Sequence, residues 1–371
     1  MKKTKVLFKM FYLYHKAAFD PLIELFERDP KYDVSLSLTH EIERTFGLFD
    51  IDQTKKYLQK FEKEGHRISD ENENFDIVFA PDVVDEKKYG SALICLIWHG
   101  ITFTKTGIYR ELKKHTDYRY VIFAEGEQSV QSLMASGSIG NSEVYKVGYP
   151  KMDPYFTDGN YDRNEILISL GLDPDKPTVL FAPTYKPTCI YELKDVIFRA
   201  TKDYNLVIKL HHYAWMGKYI SHRQHKIFEK RVKNYPHAVI IPKDDYSILP
   251  LLYVADTLVS EASGAITEFL ATGKTGVIYN LNQESLKHSD GEALLSFDNR
   301  EYLKDSFVHI NSIDKLRDGI KHALHPTPEM KRAQKADQDK IFFRLDGNAS
   351  KRTKAKIELL LAESGNLSIS D

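Results

Sequence analysis

A turn rich in small residues follows an apolar run and has the groups that bind an anion. The sequence LVSEASG starts at Leu258, and a helical pattern follows it at 265–271. Backbone N–H groups at the start of a helix are free and lie at the positive end of its dipole, so a phosphate can bind there. Ser263 adds a hydroxyl group, Gly264 allows a ligand to approach the backbone, and Glu268 can reach a ribose hydroxyl. The alternative is an ordinary strand–helix turn in which Ser263 caps the helix.

A histidine that follows another apolar run can act as a base. His99 comes directly after Trp98 and the run 93–97. If that run is a strand, His99 lies at its carboxyl end, where open α/β sheets bind ligands. A neutral imidazole in this position can take a proton from an attacking hydroxyl group. A histidine held by backbone groups in a loop is the alternative.

Two more polar turns follow apolar runs. His211 and His212 come after the run 206–208, and either can donate to a phosphate while the other caps the strand. As neighbours in a strand they would point to opposite faces, so they cannot bind a metal ion as a pair. Because the sequence identifies no carboxylates to complete such a site, we expect no metal and no other cofactor. Thr184 and Lys186 supply a hydroxyl group and a cation in a further turn.

The composition excludes several classes of protein. The 371 residues suffice for two medium domains with sizeable cores. Lysine and arginine number 52 against 53 acidic residues, and the resulting net charge of −1 gives no support for nucleic-acid binding. The two cysteines, Cys95 and Cys189, lie far apart in apolar runs, which fits a reducing cytoplasm rather than a disulfide or zinc framework. No signal peptide and no membrane-spanning stretch is evident.

Strands and helices alternate along the chain, which predicts an α/β fold with mainly parallel sheets. The strands are expected at 5–11, 32–38, 76–80, 91–97, 118–124, 178–182, 205–210, 238–241, 256–260 and 276–279. Two prolines frame the segment 148–154, and we place a domain junction there. The expected domains are 1–150 and 151–335, followed by C-terminal helices at 336–371.

The turns, taken in order, resemble motifs of the CDP-glycerol glycerophosphotransferases of teichoic-acid and capsule synthesis. The matched family motifs are WHGTPLKKxG at 98–107, GYPRxD at 148–153, APTWR at 182–186, K/R-x-H at 209–211, TDYSS at 260–264 and DGxAS at 346–350. Each motif is short, but the ordered set extends from Trp98 to Ser350. An acidic residue of the family corresponds to Glu268.

The resemblance implies a GT-B architecture, which consists of two Rossmann-like domains with a cleft between them and a C-terminal helix that returns to the N-terminal domain. It also implies transfer of a phosphopolyol from a CDP-activated donor to an acceptor hydroxyl. By position, His99 is the expected general base and His211 the expected partner of the donor phosphates. The resemblance places the donor site in the C-terminal domain, at Thr184, Lys186, Ser263, Gly264 and Glu268. It places Gly100, Lys105 and His15 on the acceptor side.

The sequence departs from the family pattern at both substrate sites. Ile101 and Thr102 replace the Thr-Pro pair, Gly264 replaces the second serine, and Glu261 stands where the family has an aspartate. These departures leave the donor open, so a GT-B glycosyltransferase that uses a CMP- or UDP-sugar is an alternative. A nucleotide-sugar epimerase and a nucleotide-binding module without activity are further alternatives.

The implied acceptor is a lipid-linked saccharide or an oligosaccharide, although no apolar segment is long enough to span a bilayer. We therefore expect a cytoplasmic protein attached peripherally to the inner face of the membrane. The basic and aromatic N-terminal residues are candidates for this contact, and they are Lys2, Lys3, Lys5, Phe8 and Phe11. The alternative is that Phe8 and Phe11 belong to the first core strand.

Overall fold

The computed structural model describes residues 2–45, 49–217, 223–363 and 365. Within these ranges the strands are β1 Thr4–Met10, β2 Tyr32–Leu38, β3 Ile42–Thr45, β4 Phe49–Asp52, β5 Ile77–Ala80, β6 Leu93–Leu96, β7 Val121–Ala124, β8 Glu143–Lys146, β9 Thr178–Phe181, β10 Asn205–Ile208, β11 Ala238–Ile240, β12 Thr257–Ser260, β13 Val277–Tyr279 and β14 Val308–Ile310. The helices are α1 Lys16–Glu27, α2 Thr54–Lys63, α3 Thr106–Lys113, α4 Glu127–Ser136, α5 Arg163–Ser169, α6 Ile190–Leu193, α7 Val196–Ala200, α8 Tyr213–Met216, α9 His225–Val232, α10 Leu249–Val254, α11 Ala265–Ala271, α12 Leu316–Leu324, α13 Pro328–Ile341 and α14 Ala349–Glu363.

The chain forms two compact units, each built on a six-stranded sheet. The first unit comprises Met1–Glu41, Asp52–Thr157 and Lys340–Asp371, and the second comprises Ile42–Ile51 and Asp158–Asp339. The first sheet has the order β2-β1-β5-β6-β7-β8, and the second has the order β11-β10-β9-β12-β13-β14. Within the described residues, neighbouring strands of the two sheets run parallel to each other. The α/β class expected from the alternation of strands and helices is confirmed.

Buried apolar runs explain why the sheets are parallel. The central strands β5, β7, β9 and β10 are buried at every position, so both of their faces are covered. Such strands are typical of sheets with helices on both faces. In the first unit the rings of Phe8 and Phe79 stack at 4.5 Å between centroids, and Phe8 is fully buried. The expectation that Phe8 contacts a membrane is therefore wrong, and Phe8 is a core residue.

Each sheet has one point at which the chain reverses its direction of winding. In the first sheet this switch point lies between β1 and β5, and in the second it lies between β9 and β12. The second sheet follows the 3-2-1-4-5-6 order of a nucleotide-binding Rossmann sheet. Ligands of open α/β sheets bind beside the switch point at the carboxyl ends of the strands. The loops after these four strands are consequently the places to examine for a site.

The two units differ from the expected domain boundaries. The first unit extends to Thr157 rather than to residue 150, and the chain returns to it at Lys340 rather than at residue 336. The hairpin of β3 and β4, which the sequence did not predict, belongs to the second unit although it comes from the N-terminal part of the chain. Sequence position alone could not assign this hairpin, because its partner in the fold is the distant helix α8.

Two of the sequence motifs bind each other and attach α14 to the first unit. The Asp153 carboxylate accepts hydrogen bonds from the backbone N–H groups of Ala349 at 3.0 Å and Ser350 at 2.7 Å. Gly148 has a φ of +96°, and a Cβ atom there would lie 2.7 Å from the backbone oxygen of Phe343. The motifs at 148–153 and 346–350 therefore have a structural role, since they hold the first turn of α14.

We expect Asp153→Ala to loosen α14, because two backbone N–H groups at its start would lose their acceptor. The local unfolding free energy of α14 should fall by about 1–2 kcal/mol, as for the loss of a helix cap. Native-state hydrogen exchange of the α14 amides measures this quantity. The matched control is Asp158→Ala, which changes an exposed aspartate and should leave the protection of the α14 amides unchanged. Equal protection of α14 in the two variants would show that Asp153 does not anchor the helix.

Candidate functional site

In the second unit, two of the expected loops leave the sheet side by side at the switch point. Thr184 follows β9 and Ser263 follows β12, and these strands are hydrogen-bonded neighbours in the sheet. Parallel strands about 4.8 Å apart bring their carboxyl ends to one edge, so the two loops share that edge. Thr184 is buried, while Ser263 is half-buried. The fold thus places together two turns that are far apart in sequence.

A buried carboxylate connects these two loops. Glu261 follows β12 and accepts hydrogen bonds from the backbone N–H groups of Thr184 at 3.1 Å and Cys189 at 3.3 Å. The hydroxyl group of Ser260 donates to the backbone oxygen of Ala182 at 2.7 Å. No cation pairs with this carboxylate in the described structure, and burial raises the pKa of Glu261 to about 7. Glu261 therefore positions the Thr184 loop and does so from inside the protein.

The Ser263–Gly264 turn differs in one detail from the expected helix cap. Gly264, rather than Ser263, is the N-cap residue of α11, and the Ser263 hydroxyl oxygen accepts the N–H of Ala265 at 3.3 Å. A Cβ atom at Gly264 would meet no atom within 4 Å, so the space beside it is open to a ligand. Glu268 lies in the first turn of α11 and is buried. Because α11 has only seven residues, the loop contributes more to this site than a helix dipole can.

His211 lies in an aromatic cluster rather than in a strand. β10 ends at Ile208, so the expectation that His211 and His212 point to opposite faces of a strand is wrong. The His211 ring centroid is 4.8 Å from that of Tyr185 and 5.1 Å from that of Tyr213. Its Nδ1 accepts the N–H of Tyr213 at 3.2 Å, which leaves Nε2 as the nitrogen that carries the proton when the ring is neutral. His211 can therefore act as a hydrogen-bond donor to an anion.

Lys186 is an exposed cation in the same loop as Thr184. The structure shows no hydrogen bond or ion pair between its side chain and any residue in the described ranges, so its charge is available to a ligand. The sequence analysis did not identify two tyrosines of this site, Tyr185 and Tyr213. The fold packs both against His211, and their own ring centroids are 4.9 Å apart.

In the first unit, His15 and His99 come together although 84 positions separate them in the sequence. Their ring centroids are 4.8 Å apart, with the ring planes inclined by 29°. His15 follows β1 and His99 follows β6, and both strands end at the same edge of the sheet. The Nδ1 of His15 accepts the N–H of Phe11 at 3.2 Å, which places the proton on its Nε2. The Tyr14 ring completes this cluster at 5.0 Å from His99.

The His99 ring is held in its neutral form. Its Nδ1 is enclosed and has no hydrogen-bond partner among the residues that the structure describes. Burial, followed by the positive charges of Lys151 and Lys105, lowers the pKa of His99 to about 3. The backbone oxygen of His99 accepts hydrogen bonds from Tyr149 at 3.1 Å and Lys151 at 3.5 Å. The ring is therefore neutral at pH 7 in the free protein, and the two cations oppose its protonation.

The loop after His99 is fixed by a second buried carboxylate. Glu125 follows β7 and accepts hydrogen bonds from the Thr102 N–H at 3.1 Å, the Thr102 hydroxyl at 2.7 Å and the Ser129 hydroxyl at 2.6 Å. Burial raises the pKa of Glu125. A Cβ atom at Gly100 would meet nothing within 4 Å, so there is open space directly after His99. Lys105 is half-buried and precedes α3.

Neither a metal cluster nor a membrane span occurs in the part of the chain that the structure describes. No group of three or more histidine, cysteine, aspartate or glutamate side chains in these residues has the geometry to hold a metal ion. No described helix combines the length and the apolar character that are needed to cross a bilayer.

Comparison with known proteins identifies the family. The profile of the family described as CDP-glycerol:poly(glycerophosphate) glycerophosphotransferase matches residues 53–359, which is most of the chain. No curated protein sequence matches. The resemblance found in the sequence motifs is thereby confirmed.

Solved structures with a similar fold include a teichoic acid polymerase and an epimerase. The wall teichoic acid polymerase TagF is 16% identical, with a TM-score of 0.64 over 99% of this chain and 91% of that chain. A UDP-N-acetylglucosamine 2-epimerase is 14% identical, with a TM-score of 0.57 over 100% and 99%. The S. aureus protein MnaA, in a structure with UDP, is 15% identical, with a TM-score of 0.59 over 97% of each chain. These similarities support the GT-B class for the two Rossmann-like units.

Glu261 should make the stability of the second unit depend on pH. Its pKa is near 7 in the folded protein and about 4.5 when unfolded, so its contribution is fully present below pH 4.5 and is lost as the pH rises through 7. Glu261→Gln keeps an acceptor oxygen and does not ionise. We therefore expect the melting temperature of the variant, relative to wild type, to rise between pH 5 and pH 8. The total difference corresponds to about 3 kcal/mol.

The control for this experiment is Glu229→Gln, which changes a half-buried carboxylate that pairs with Lys226 on α9. Its melting temperature should differ from wild type by the same amount at every pH. If Glu261→Gln also shows a constant difference, the pKa of Glu261 is not raised to about 7 in the folded protein, and the account of its burial is wrong.

Proposed function

Because the chain belongs to the CDP-glycerol:poly(glycerophosphate) glycerophosphotransferase family, we propose that it transfers glycerol phosphate from CDP-glycerol to an acceptor hydroxyl in teichoic-acid synthesis. The observation that carries this proposal is the family match over residues 53–359. The loop geometry supports it, since each unit has open, polar loops at the carboxyl edge of its sheet. The proposed acceptor is a hydroxyl group of a lipid-linked saccharide or an oligosaccharide.

The proposed donor site is the edge beside β9 and β12. Thr184, Ser263 and the open space beside Gly264 offer hydroxyl and backbone groups to the diphosphate. Lys186 supplies a positive charge to the donor phosphates, and Glu268 is assigned to the ribose hydroxyls. A hydrogen bond to a charged phosphate oxygen is stronger than one to a neutral acceptor, so this set suits a nucleoside diphosphate.

His99 is proposed as the general base and His211 as the group that donates to the donor phosphates. The acceptor oxygen attacks the phosphorus atom that bears glycerol, and a new P–O bond forms. The P–O bond to CMP breaks, CMP leaves with the bonding electron pair, and the acceptor proton passes to His99. His211 donates a hydrogen bond through Nε2 to the phosphate oxygens on which negative charge accumulates. Gly100, Lys105 and His15 are assigned to the acceptor side.

The low pKa of His99 in the free protein has a consequence for this mechanism. An imidazole with a pKa of about 3 is neutral at pH 7 but accepts protons weakly. Negative charge that a bound substrate brings next to Lys105 and Lys151 would oppose their effect and raise the pKa of His99 toward the working pH. Substrate binding thus prepares the base.

The test of the proposed function is an incubation with CDP-glycerol, CMP-sugars and UDP-sugars, each with and without a saccharide acceptor. We expect CMP to be released only with CDP-glycerol and acceptor together, and the product mass to increase by one glycerol phosphate. Added hexose mass, or release of UDP, would instead establish the glycosyltransferase alternative. Conversion of a UDP-sugar without acceptor would establish an epimerase, the activity named for one structural neighbour.

Flotation with anionic liposomes at low salt tests peripheral membrane attachment, for which the exposed Lys2 and Lys3 remain candidates.

His99→Ala should lower kcat by about 10²–10⁴-fold while the affinity for CDP is preserved, because the base contacts the acceptor. The pH profiles give a sharper test. The acid limb of kcat, which reports the substrate complex, should lie at a higher pH than the acid limb of kcat/KM, which reports the free protein. In rapid-quench assays between pH 4 and pH 9, kcat should therefore show an acid limb while kcat/KM shows none. Near-native turnover of His99→Ala at saturating acceptor would contradict the assignment. The matched control is Tyr14→Phe, which changes a side chain next to His99 and keeps its ring.

A further inference from the structure

The second unit contains a cavity that the proposed donor site does not use. It has a volume of about 650 Å³ and opens at the carboxyl edge of the sheet, beside the ends of β13 and β14. Its lining residues are Pro187, Thr188, Glu192, Tyr279, Asn280, Leu281, Asn282, Ser285, Arg300 and Asn311. This volume falls within the range of small-molecule sites.

The lining is rich in uncharged hydrogen-bonding groups. Six of the ten residues carry an amide or a hydroxyl group, and only Pro187 and Leu281 are apolar. Amides and hydroxyls both donate and accept, and so do the hydroxyl groups of sugars and polyols. The Tyr279 hydroxyl makes no hydrogen bond with any residue that the structure describes, so it is free to bind a ligand. The composition matches a ligand with many neutral hydroxyl groups.

The charges of the lining disfavour a phosphate. Arg300 is the cation of the cavity, but its side chain binds the Asp298 carboxylate in a bidentate ion pair at 2.9 Å and 3.2 Å. The exposed Glu192 carboxylate has no hydrogen bond or ion pair within the described ranges, so no cation offsets it. A diphosphate would be repelled by Glu192, whereas a neutral hydroxyl group can donate to it.

Two of the amides are held in fixed orientations by a histidine behind them. The His309 ring lies between two oxygens, with its Nε2 3.0 Å from the backbone oxygen of Tyr302 and its Nδ1 2.9 Å from the Oδ1 of Asn280. Burial lowers the pKa of His309. The amides of Asn280 and Asn311 bond each other at 2.7 Å. The cavity wall is thus ordered before any ligand binds.

Thr188 connects the cavity to the proposed donor site. It lines the cavity, and its side chain also forms a hydrogen bond with the Glu261 carboxylate that anchors the Thr184 loop. A ligand in the cavity would therefore lie next to the loop assigned to the donor phosphates. Because of this adjacency, we expect the ligand to be a part of a substrate that is present during the transfer, and not an unrelated metabolite.

We propose that this cavity binds an uncharged polyhydroxyl unit of a substrate, either a sugar of the acceptor or the polyol of the donor. The inference rests on the proposed function for the identity of the substrates, but the binding chemistry does not depend on it. Amide and hydroxyl groups bind the ligand hydroxyls, and Glu192 accepts from two of them.

Calorimetry or ligand-observed NMR with the full chain tests the proposal directly. The probes are glucose, N-acetylglucosamine and its disaccharide, together with glycerol, ribitol, CMP and CDP-glycerol. We expect at least one neutral sugar or polyol to bind the wild-type protein without any nucleotide. Glu192→Gln and Asn311→Ala should each weaken that binding by roughly tenfold, because each removes one hydrogen bond to the ligand. The exposed residues Glu284 and Asn234 provide the matched controls Glu284→Gln and Asn234→Ala.

The same variants distinguish the two sources of the polyhydroxyl unit. If the cavity binds an acceptor sugar, the variants weaken saccharide binding and leave CDP-glycerol unchanged. If it binds the donor polyol, they weaken CDP-glycerol binding and leave CMP unchanged. Either outcome supports the proposal, including in a protein that fails to transfer glycerol phosphate.

Three outcomes would overturn it. The first is that no neutral sugar or polyol binds, alone or as part of CDP-glycerol. The second is that the cavity variants bind them as tightly as the control variants do. The third is tighter binding of CMP by Glu192→Gln, since an anionic ligand in the cavity gains from the loss of the carboxylate charge. Each of these outcomes would refute the cavity alone and leave the proposed function intact, because transfer of glycerol phosphate is measured separately.

Discussion

The arrangement of the second unit depends on one buried carboxylate. Glu261 comes directly after β12, yet its oxygen binds the N–H groups of Thr184 and Cys189 in the loop after β9. A buried acceptor without a cation is costly unless hydrogen bonds satisfy it, and here the loop after β9 provides those bonds. The Thr184 loop, the Ser263 turn and the wall of the cavity at Thr188 all depend on this contact. The first unit uses the same device, since Glu125 holds Thr102 in the loop after His99.

Much of the fold could be predicted from the sequence because the central strands are short apolar runs between polar turns. The strands around each switch point were found in this way, and β2 was predicted with its observed bounds. The edge strand β8 was missed because its sequence, EVYK, is exposed at both ends and has no apolar run. The hairpin of β3 and β4 was missed because its position depends on a helix more than 150 residues away.

The residues of the candidate site could be predicted where they directly follow a strand. His99, Thr184 and Ser263 were found because each follows an apolar run, and the parallel sheets place such positions at one edge. The pairing of His15 with His99 and the cluster around His211 could not be found, because they arise from contacts between distant loops. The motif at 148–153 has a structural role that its family match does not predict. Asp153 matches a family motif, but its carboxylate serves to hold the start of α14 rather than a substrate.

The central claim is that the nucleotide donor binds at the β9 and β12 edge of the second unit. Hydrogen exchange followed by mass spectrometry, with and without CDP, tests it most directly. The account predicts slower exchange at 182–189 and 260–268, because the ligand covers both loops, and no change at 97–105. Slower exchange confined to 97–105, or unchanged exchange in both loops of the second unit while CDP is bound, would contradict it.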